Sequence, residues 1–280
     1  MNRLVDQHRR NGAIRITLLT AALLVSLVPL LWTVLAALGL QANNNTTPPS
    51  FVGPLSFDHF KEVTIAEPSF WEELGTSTVS AACASLLTIA VSVLAAYGLV
   101  RSRFAGDRLI RQGLLVLASL PAMAYVIPLG DLTRRAHLVD SLVGLVLIEA
   151  AVTTPLAIYV LHGAISQLST DWEEAAWLDG AGVFRVIGQV VLPLIAPSVA
   201  ATAIIVFVLD WNLLLVPLVL TGGELKTIPV AMMDFFTFER ELDWPTAAAA
   251  LIISLAPVAI LIIAFHRVVE RFSFAVTQSD

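Results

Sequence analysis

The sequence predicts an all-α, polytopic membrane protein with six transmembrane helices and a helical cytoplasmic loop. Hydrophobic residues make up 57% of the 280 residues, charged residues make up 14%, and the mean hydropathy is +0.83. A soluble core of this length does not bury so much apolar surface. The apolar residues form six runs, each long enough to cross a hydrocarbon core with about 20 residues of helix. A polar stretch with helical patterning separates the fourth run from the fifth.

The six runs define the predicted domain organisation. They lie at residues 14–40, 76–99, 112–131, 141–165, 197–220 and 246–265. We expect an N-terminal arm at 1–13, one membrane domain at 14–265 and a tail at 266–280. The first run follows basic residues, as the core of a secretory signal does, but it exceeds the roughly 7–15 apolar residues of such a core. We therefore expect it to remain as a transmembrane helix.

The basic residues predict which side of the membrane each connection occupies. Lys and Arg concentrate in the cytoplasmic connections of membrane proteins. Of the 16 in this chain, 11 fall in alternate connections: Arg3, Arg9, Arg10, Arg15, Arg101, Arg103, Arg108, Arg111, Arg185, Arg267 and Arg271. The opposite connections hold Lys61, Arg134, Arg135, Lys226 and Arg240. We therefore expect both termini and the polar stretch to be cytoplasmic.

The polar stretch, residues 169–197, has the pattern of two short helices. Thr170 and Glu173 have the spacing of a capping box, so a helix is expected to begin near Asp171, and Gly180 is expected to end it. Apolar residues that recur every three or four positions predict a second helix, closed by prolines. They are Val183, Phe184, Ile187, Val190, Val191 and Leu194. Two short helices at an angle are suited to a groove on a partner protein.

One sequence motif runs through this stretch. Residues 174–176 read EAA, Gly180 follows after three residues, and VVLP at 190–193 follows after nine more. This arrangement resembles the EAA loop of permeases in ATP-binding-cassette (ABC) importers, which reads EAA, three residues, Gly, nine residues and I-x-L-P. Val190 in place of Ile is the departure. The resemblance covers roughly residues 75–265.

Softer phrases resemble the carbohydrate permeases of the maltose-transporter type. They are LAAYGLVRSRFAGDRLI at 94–110, LPAMAYVIPL at 120–129, and DWNLLLVPLVL at 210–220 followed by KTIPVAM. Two positions depart from that type. Ser169 stands where the family usually has Pro, and the tail ERFSFAVTQSD at 270–280 stands where the family commonly has a Gly-rich, basic end.

The resemblance implies a permease subunit of an importer for a sugar or related polyol, in the inner or plasma membrane of a prokaryotic cell. Such an importer also contains a companion permease, two ATPase subunits that bind ATP and Mg²⁺, and an extracytoplasmic substrate-binding protein. In the family, the EAA loop is a coupling helix that inserts into a cleft on the ATPase. That role falls on Glu174, Ala175, Ala176, Asp179, Gly180 and Pro193.

Absent motifs narrow the expected function. The 280 residues contain no G-x-x-x-x-G-K-[ST] phosphate loop, so we expect no ATP site in this chain. The histidines show no metal-binding spacing, and no nucleophile, base and orienting group can be assembled. We therefore expect neither a cofactor, a metal, an enzyme activity nor a nucleic-acid partner. Two alternatives stay open: an importer permease for another class of solute, and a six-span membrane scaffold or intramembrane enzyme.

Four residues at helix depth are candidates for the substrate path. Glu149 lies in the fourth run with Thr153 one turn later, and an ionisable group at this depth is costly unless it has a partner or faces a cavity. Asp210, Trp211 and Asn212 form a polar cluster in the fifth run. There an indole ring suits a sugar face and an amide suits a hydroxyl. Hydrogen bonds that join helices are the alternative role for the same side chains.

Overall fold

The computed structural model describes residues 2–43, 50–102, 106–221, 225–233 and 244–265. Its helices, in chain order, are α1 (Asn2–Ala37), α2 (Asp58–Lys61), α3 (Ser69–Arg101), α4 (Asp107–Ala118), α5 (Ala122–Arg135), α6 (Leu142–Ser166), α7 (Asp171–Leu178), α8 (Val183–Val186), α9 (Leu192–Leu194), α10 (Ala196–Trp211), α11 (Leu215–Leu220), α12 (Ile228–Ala231) and α13 (Trp244–Ser254). Turns of π-helix follow α2 at Glu62–Ala66 and α8 at Ile187–Val191. The predicted helical class is confirmed, although β1 (Gln41–Asn43) and β2 (Ser50–Val52) form a short antiparallel pair that was not predicted.

The apolar helices correspond in part to the predicted transmembrane runs. Within the described residues, four helices are long and apolar enough to cross a membrane singly: Arg15–Ala37, Ser69–Arg101, Leu142–Ser166 and Trp244–Phe265. They match the first, second, fourth and sixth runs. A pair bent by 84°, Val183–Leu194 with Ala196–Trp211, makes a fifth span if it is counted as one. Six separate transmembrane helices are therefore not confirmed.

The third predicted run, 112–131, is not one helix. α4 ends at Ala118 and α5 begins at Ala122, with Pro121 extended between them (φ −65°, ψ 143°). Proline lacks an amide hydrogen and drives the residue before it out of the helical region, so the helix breaks here. The two pieces have 12 and 14 residues, and each is shorter than the roughly 20 residues of a single crossing.

The fifth predicted run, 197–220, is also broken. α10 ends at Trp211, and Asn212 caps it with a side-chain amide that donates to the carbonyl oxygen of Val208 at 2.7 Å. A new helix begins only at Leu215. The apolar composition continues through this break, which is why run length alone did not reveal it.

The described parts of residues 1–68 and 235–253 form one compact unit. The side chains of the first span are exposed from Arg15 to Trp32. His59 and Glu62 follow the β1–β2 pair in the chain. The Thr246 hydroxyl lies 3.2 Å from Nδ1 of His59 and donates to Oε2 of Glu62 at 3.0 Å. These contacts join the region of α2 to the beginning of α13.

The described parts of residues 69–234 and 254–280 form a second compact unit, in which α3, α6 and α10 pack against one another. The buried residues of α3 are mostly small: Ser77, Ser80, Ala81, Ala84, Ser85, Thr88, Ser92 and Ala96. Small residues let membrane helices approach closely. Thr88 bridges to α6, with its Oγ1 3.3 Å from the carbonyl oxygen of Ala150 and 3.2 Å from Oγ1 of Thr153.

Candidate functional site

The helix α7 begins where the sequence predicts, but through a different contact. It starts at Asp171 and carries Asp171, Glu173 and Glu174 in its first turn, where the helix dipole favours carboxylates. The Thr170 side chain makes no capping hydrogen bond, and the amide of Asp171 donates instead to Oγ of Ser169 at 3.3 Å. The predicted capping box is therefore wrong.

The end of α7 confirms the prediction for Gly180. Its φ of +81° lies in the left-handed region, which glycine adopts without steric cost. The Gly180 amide donates to the carbonyl of Trp177 at 2.9 Å, and the Ala181 amide donates to the carbonyl of Ala176 at 3.0 Å. This pair of bonds is a Schellman motif, which turns the chain sharply enough for α8 to begin at Val183.

The polar stretch at 169–197 is called the loop below. Glu173 is its buried acid, with 2% of its surface exposed. Arg101 donates to its Oε1 from Nε at 2.8 Å and from Nη2 at 2.6 Å, and the Tyr97 hydroxyl donates to its Oε2 at 2.9 Å. Arg101 Nη2 also donates to the carbonyl oxygen of Leu168 at 3.3 Å. Hydrogen bonds between charged groups are stronger than neutral ones. We call Tyr97, Arg101 and Glu173 the clamp, because their side chains join the end of α3 to α7.

An apolar cluster also holds the loop to the helices. Its buried members come from α3, α6 and the loop: Val93, Ala96, Tyr97, Ile158, Leu161, Ile165, Val186, Ile187, Val191 and Ile195. Ala176 and Ala181 are partly buried and pack against the cluster. The predicted apolar face of the second helix is correct for Ile187 and Val191, which are buried. It is wrong at both ends of the helix, because Val183, Phe184 and Leu194 are exposed.

The outer face of the loop carries the residues predicted to couple to an ATPase. Five of the six have exposed side chains or backbone: Glu174, Ala175, Asp179, Gly180 and Pro193. The sixth, Ala176, is half-buried. Successive residues of a helix point about 100° apart, so an inward Glu173 leaves Glu174 and Ala175 pointing away from the membrane helices.

Large apolar side chains are exposed beside these residues. They are Trp172, Trp177, Leu178, Val183 and Phe184, named the apolar patch below. Leu178 is 89% exposed and Phe184 is 80% exposed. A patch of this kind, rimmed by carboxylates, is typical of a surface that another protein covers.

The predicted path residues Glu149 and Asp210 meet inside the helix packing. They are 1% and 3% exposed, and their carboxyl groups lie close enough to interact electrostatically. Among the described residues, Oε2 of Glu149 and both carboxylate oxygens of Asp210 have no hydrogen-bond partner. The hydroxyl of Thr153 lies near Asp210 without hydrogen-bonding geometry and donates to the carbonyl oxygen of Glu149 at 3.0 Å. The two acids, which the sequence places on separate helices and which we name the acid pair below, are thus both buried and within electrostatic range of each other.

The other two path residues have different surroundings. Trp211 is 6% exposed and stacks on Phe207, with ring centroids 5.8 Å apart and planes inclined by 20°. Asn212 is exposed at the break after α10. A role of these four residues in the substrate path stays a prediction.

Sequence reasoning missed Tyr97 and Arg101. Their spacing places both on one face of α3, and Arg101 lies in a basic turn whose charge had been used only to orient the chain. The partner Glu173 is 72 residues from Arg101, so no local pattern joins them. Across the part of the chain that the structure describes, no group of three His, Cys, Asp or Glu side chains is arranged to hold a metal ion.

Residues 88–273 match the family described as the binding-protein-dependent transport system inner membrane component. The chain belongs to this family. It is 30% identical over 247 residues to the trehalose transport system permease protein SugB of Mycobacterium tuberculosis, a match that covers 86% of this chain and 88% of that protein. It is 29% identical over 265 residues to the trehalose/maltose transport system permease protein MalG of Thermococcus litoralis, covering 90% and 92%. The chain is thus an importer permease of the inner membrane, a transport component rather than an enzyme.

Solved structures share the fold of this permease. A chain of a bacterial ABC transporter involved in the import of the acidic polysaccharide alginate has a TM-score of 0.74 at 20% identity, covering 92% of this chain and 96% of that one. A chain of the MetNI methionine ABC transporter, in an inward-facing conformation, has a TM-score of 0.53 at 18% identity, covering 73% and 94%. At these identities the likeness concerns the fold.

Proposed function

We propose that this permease forms half of the translocation pathway of an ATP-driven importer for a sugar or related polyol. The trehalose and trehalose/maltose permeases among its relatives support this class of solute. A companion permease supplies the other half, and an extracytoplasmic substrate-binding protein delivers the solute. ATP and Mg²⁺ bind to two ATPase subunits and not to this chain.

The observation that carries the proposal is the construction of the loop. Its inner side is held by the clamp and the apolar cluster, while its outer face exposes Glu174 beside the apolar patch. A loop fixed on one side and exposed on the other suits insertion into a cleft on an ATPase. In this assignment Glu174 pairs with a basic group of the ATPase, and Ala175 and Ala176 permit close approach. Gly180, with Asp179 before it, and Pro193 set the bends.

Six crossings, with both termini and the loop in the cytoplasm, are part of the proposal. The third crossing consists of α4 and α5, and the fifth consists of α10 and α11. Broken helices are tolerated in membranes where the freed backbone groups are buried in protein. The distribution of Lys and Arg supports this orientation. The predicted tail at 266–280 lies outside the described residues.

The substrate path completes the proposal. We assign it to Asn212 at the helix break, with Trp211, Asp210 and Glu149 behind it. Transport in such permeases proceeds by rigid-body rocking between inward and outward states. Residues that are buried in one state can line the path in the other.

The test is ATP hydrolysis by the complex of this permease with its companion permease and ATPase. Addition of sugar-loaded binding protein is expected to raise hydrolysis in the wild type and to have little effect in Glu174→Lys. Glu72→Lys, an exposed charge reversal at the start of α3, is the matched control and is expected to behave as the wild type. Normal stimulation of ATP hydrolysis in the Glu174→Lys complex would contradict the coupling assignment. Uptake of an amino acid and of no sugar by the wild-type complex would sink the solute assignment.

A further inference from the structure

The clamp holds the inward side of α7 through Glu173. α7 has eight residues, about two turns, and a helix this short has little stability of its own. Glu173 and Ala176, one turn apart, face the membrane helices, so Glu174, Ala175 and Leu178 face away. A rotation of α7 by one residue would bury Glu174 and remove it from the outer face.

The hydrogen bonds of the clamp supply direction that the apolar cluster lacks. Apolar contacts resist separation but are not directional. In the clamp, both carboxylate oxygens of Glu173 are held, Oε1 by Arg101 and Oε2 by Tyr97. The same guanidinium reaches the carbonyl of Leu168, where the chain leaves α6 for the loop. These bonds are therefore directional contacts between the loop and the membrane helices.

The clamp also connects the loop to a third helix, α3, in addition to α6 and α10, which precede and follow the loop in the chain. The loop is covalently continuous with α6 and α10, and the clamp ties it to α3. Resting on the coupling role proposed above for the loop, we propose that Tyr97 and Arg101 are positioning residues that fix the rotation of α7 and carry its displacement into α3. They act through Glu173 and make no contact with the ATPase themselves.

Labelling of the isolated permease in membranes tests the positioning step without an ATPase. Cys83 is exposed and is the one cysteine of the chain, so Cys83→Ser gives a cysteine-free background. In that background, Ala175→Cys is expected to react faster with a water-soluble maleimide than Ala176→Cys. The pair of changes Arg101→Met and Glu173→Met removes both buried charges together and is expected to abolish this difference. An unchanged difference would overturn the proposal.

The matched control removes an ion pair of the same type from the surface. Arg135 and Asp131 pair at 2.9 Å with side chains 79% and 56% exposed. Their joint replacement by Met is expected to leave the labelling difference intact. Tyr97→Phe, a variant that keeps the ion pair and removes one hydrogen bond, is expected to reduce the difference, while Tyr159→Phe, at an exposed position of α6, is expected to keep it.

Hydrolysis by the full complex tests the transmission step. Tyr97→Phe is expected to lower the stimulation by loaded binding protein about tenfold, because a hydrogen bond to a charged group holds the geometry. Assembly with the ATPase is expected to persist, and solute transported per ATP is expected to fall. Wild-type stimulation and stoichiometry in Tyr97→Phe would overturn transmission through the clamp. Normal stimulation in Glu174→Lys would instead overturn the coupling role of the loop, and the labelling result would stand.

Discussion

The guanidinium of Arg101 donates two hydrogen bonds to one carboxylate oxygen of Glu173, from Nε at 2.8 Å and from Nη2 at 2.6 Å. The two side chains are 16% and 2% exposed. Both charged groups are therefore largely desolvated, and each compensates the charge of the other. Removal of either partner leaves the remaining charge without compensation, so the contribution of each residue to stability depends on the presence of the other.

The clamp is expected to tolerate joint replacement better than single replacement. Arg101→Ala should destabilise the permease by about 3–5 kcal/mol, because Glu173 stays buried and loses its partner. The double change Arg101→Met with Glu173→Met should recover much of that loss. The measurement is thermal unfolding of the purified permease in detergent. Arg135→Ala, which breaks an exposed pair, should cost at most about 1 kcal/mol. Equal losses in Arg101→Ala and Arg135→Ala would contradict the argument.

The same substitution at two buried glutamates is expected to have opposite effects. Glu149→Gln removes one of two neighbouring acids and should leave the melting temperature unchanged or raise it by a few degrees, about 2–4 °C per kcal/mol for a chain of this size. Glu173→Gln weakens a satisfied carboxylate and should lower the melting temperature. A loss of stability in Glu149→Gln as large as in Glu173→Gln would show that the contact of the Glu149 carboxyl with the Ser80 hydroxyl outweighs the interaction between the two acids.

Uptake by Glu149→Gln tests the substrate path separately from stability. A residue in the path is expected to change the concentration of solute at half-maximal uptake or the maximal rate, at saturating ATP. Glu67→Gln, at a half-buried position before α3, is the matched control and should alter neither. Unchanged affinity and rate in Glu149→Gln would leave the acid pair as a helix-packing feature.

Gly180 is expected to be required for its backbone angle and not for space. An added Cβ would meet no atom within 4 Å, but the φ of +81° is strained for any other L-residue. Gly180→Ala should therefore cost about 1–2 kcal/mol and loosen the end of α7. Hydrogen exchange across residues 171–186 measures this. Gly182→Ala, with φ −76° and equal space, should exchange as the wild type. Identical exchange in both variants would count against the strain.

The apolar patch is expected to contribute to recruitment of the ATPase. Burial of a phenylalanine side chain is worth about 1.5–3 kcal/mol, so Phe184→Ser should weaken binding of the ATPase about tenfold to a hundredfold. Insertion into the membrane should be unaffected because Phe184 is 80% exposed. Binding to detergent-solubilised permease measures the effect. Phe57→Ser, which removes an exposed ring before α2, should bind normally. Full affinity in Phe184→Ser would exclude the patch from the interface.

Local signals explain what could be predicted of the fold. The lengths of the apolar runs located four single-helix spans, and Gly180 marked the end of α7, since each signal comes from residues that are neighbours along the chain. Two further runs are interrupted, at Pro121 and at Asn212. The hydrophobicity of these runs does not reveal the breaks. The capping pattern of Thr170 and Glu173 failed for a different reason. The Glu173 carboxylate accepts hydrogen bonds from the charged Arg101 on another helix, and not from the local backbone amide that a capping box requires.

The membrane class, the position of the loop and the motif that marks the permease family can all be derived from the amino-acid sequence. The inward turn of Glu173 to Tyr97 and Arg101, and the electrostatic interaction of Glu149 with Asp210, depend on how the helices pack. The clamp partners are 72 and 76 residues apart. Apolar length and helix ends are fixed by neighbours along the chain, whereas the partner of a buried charge is fixed by which helices pack together.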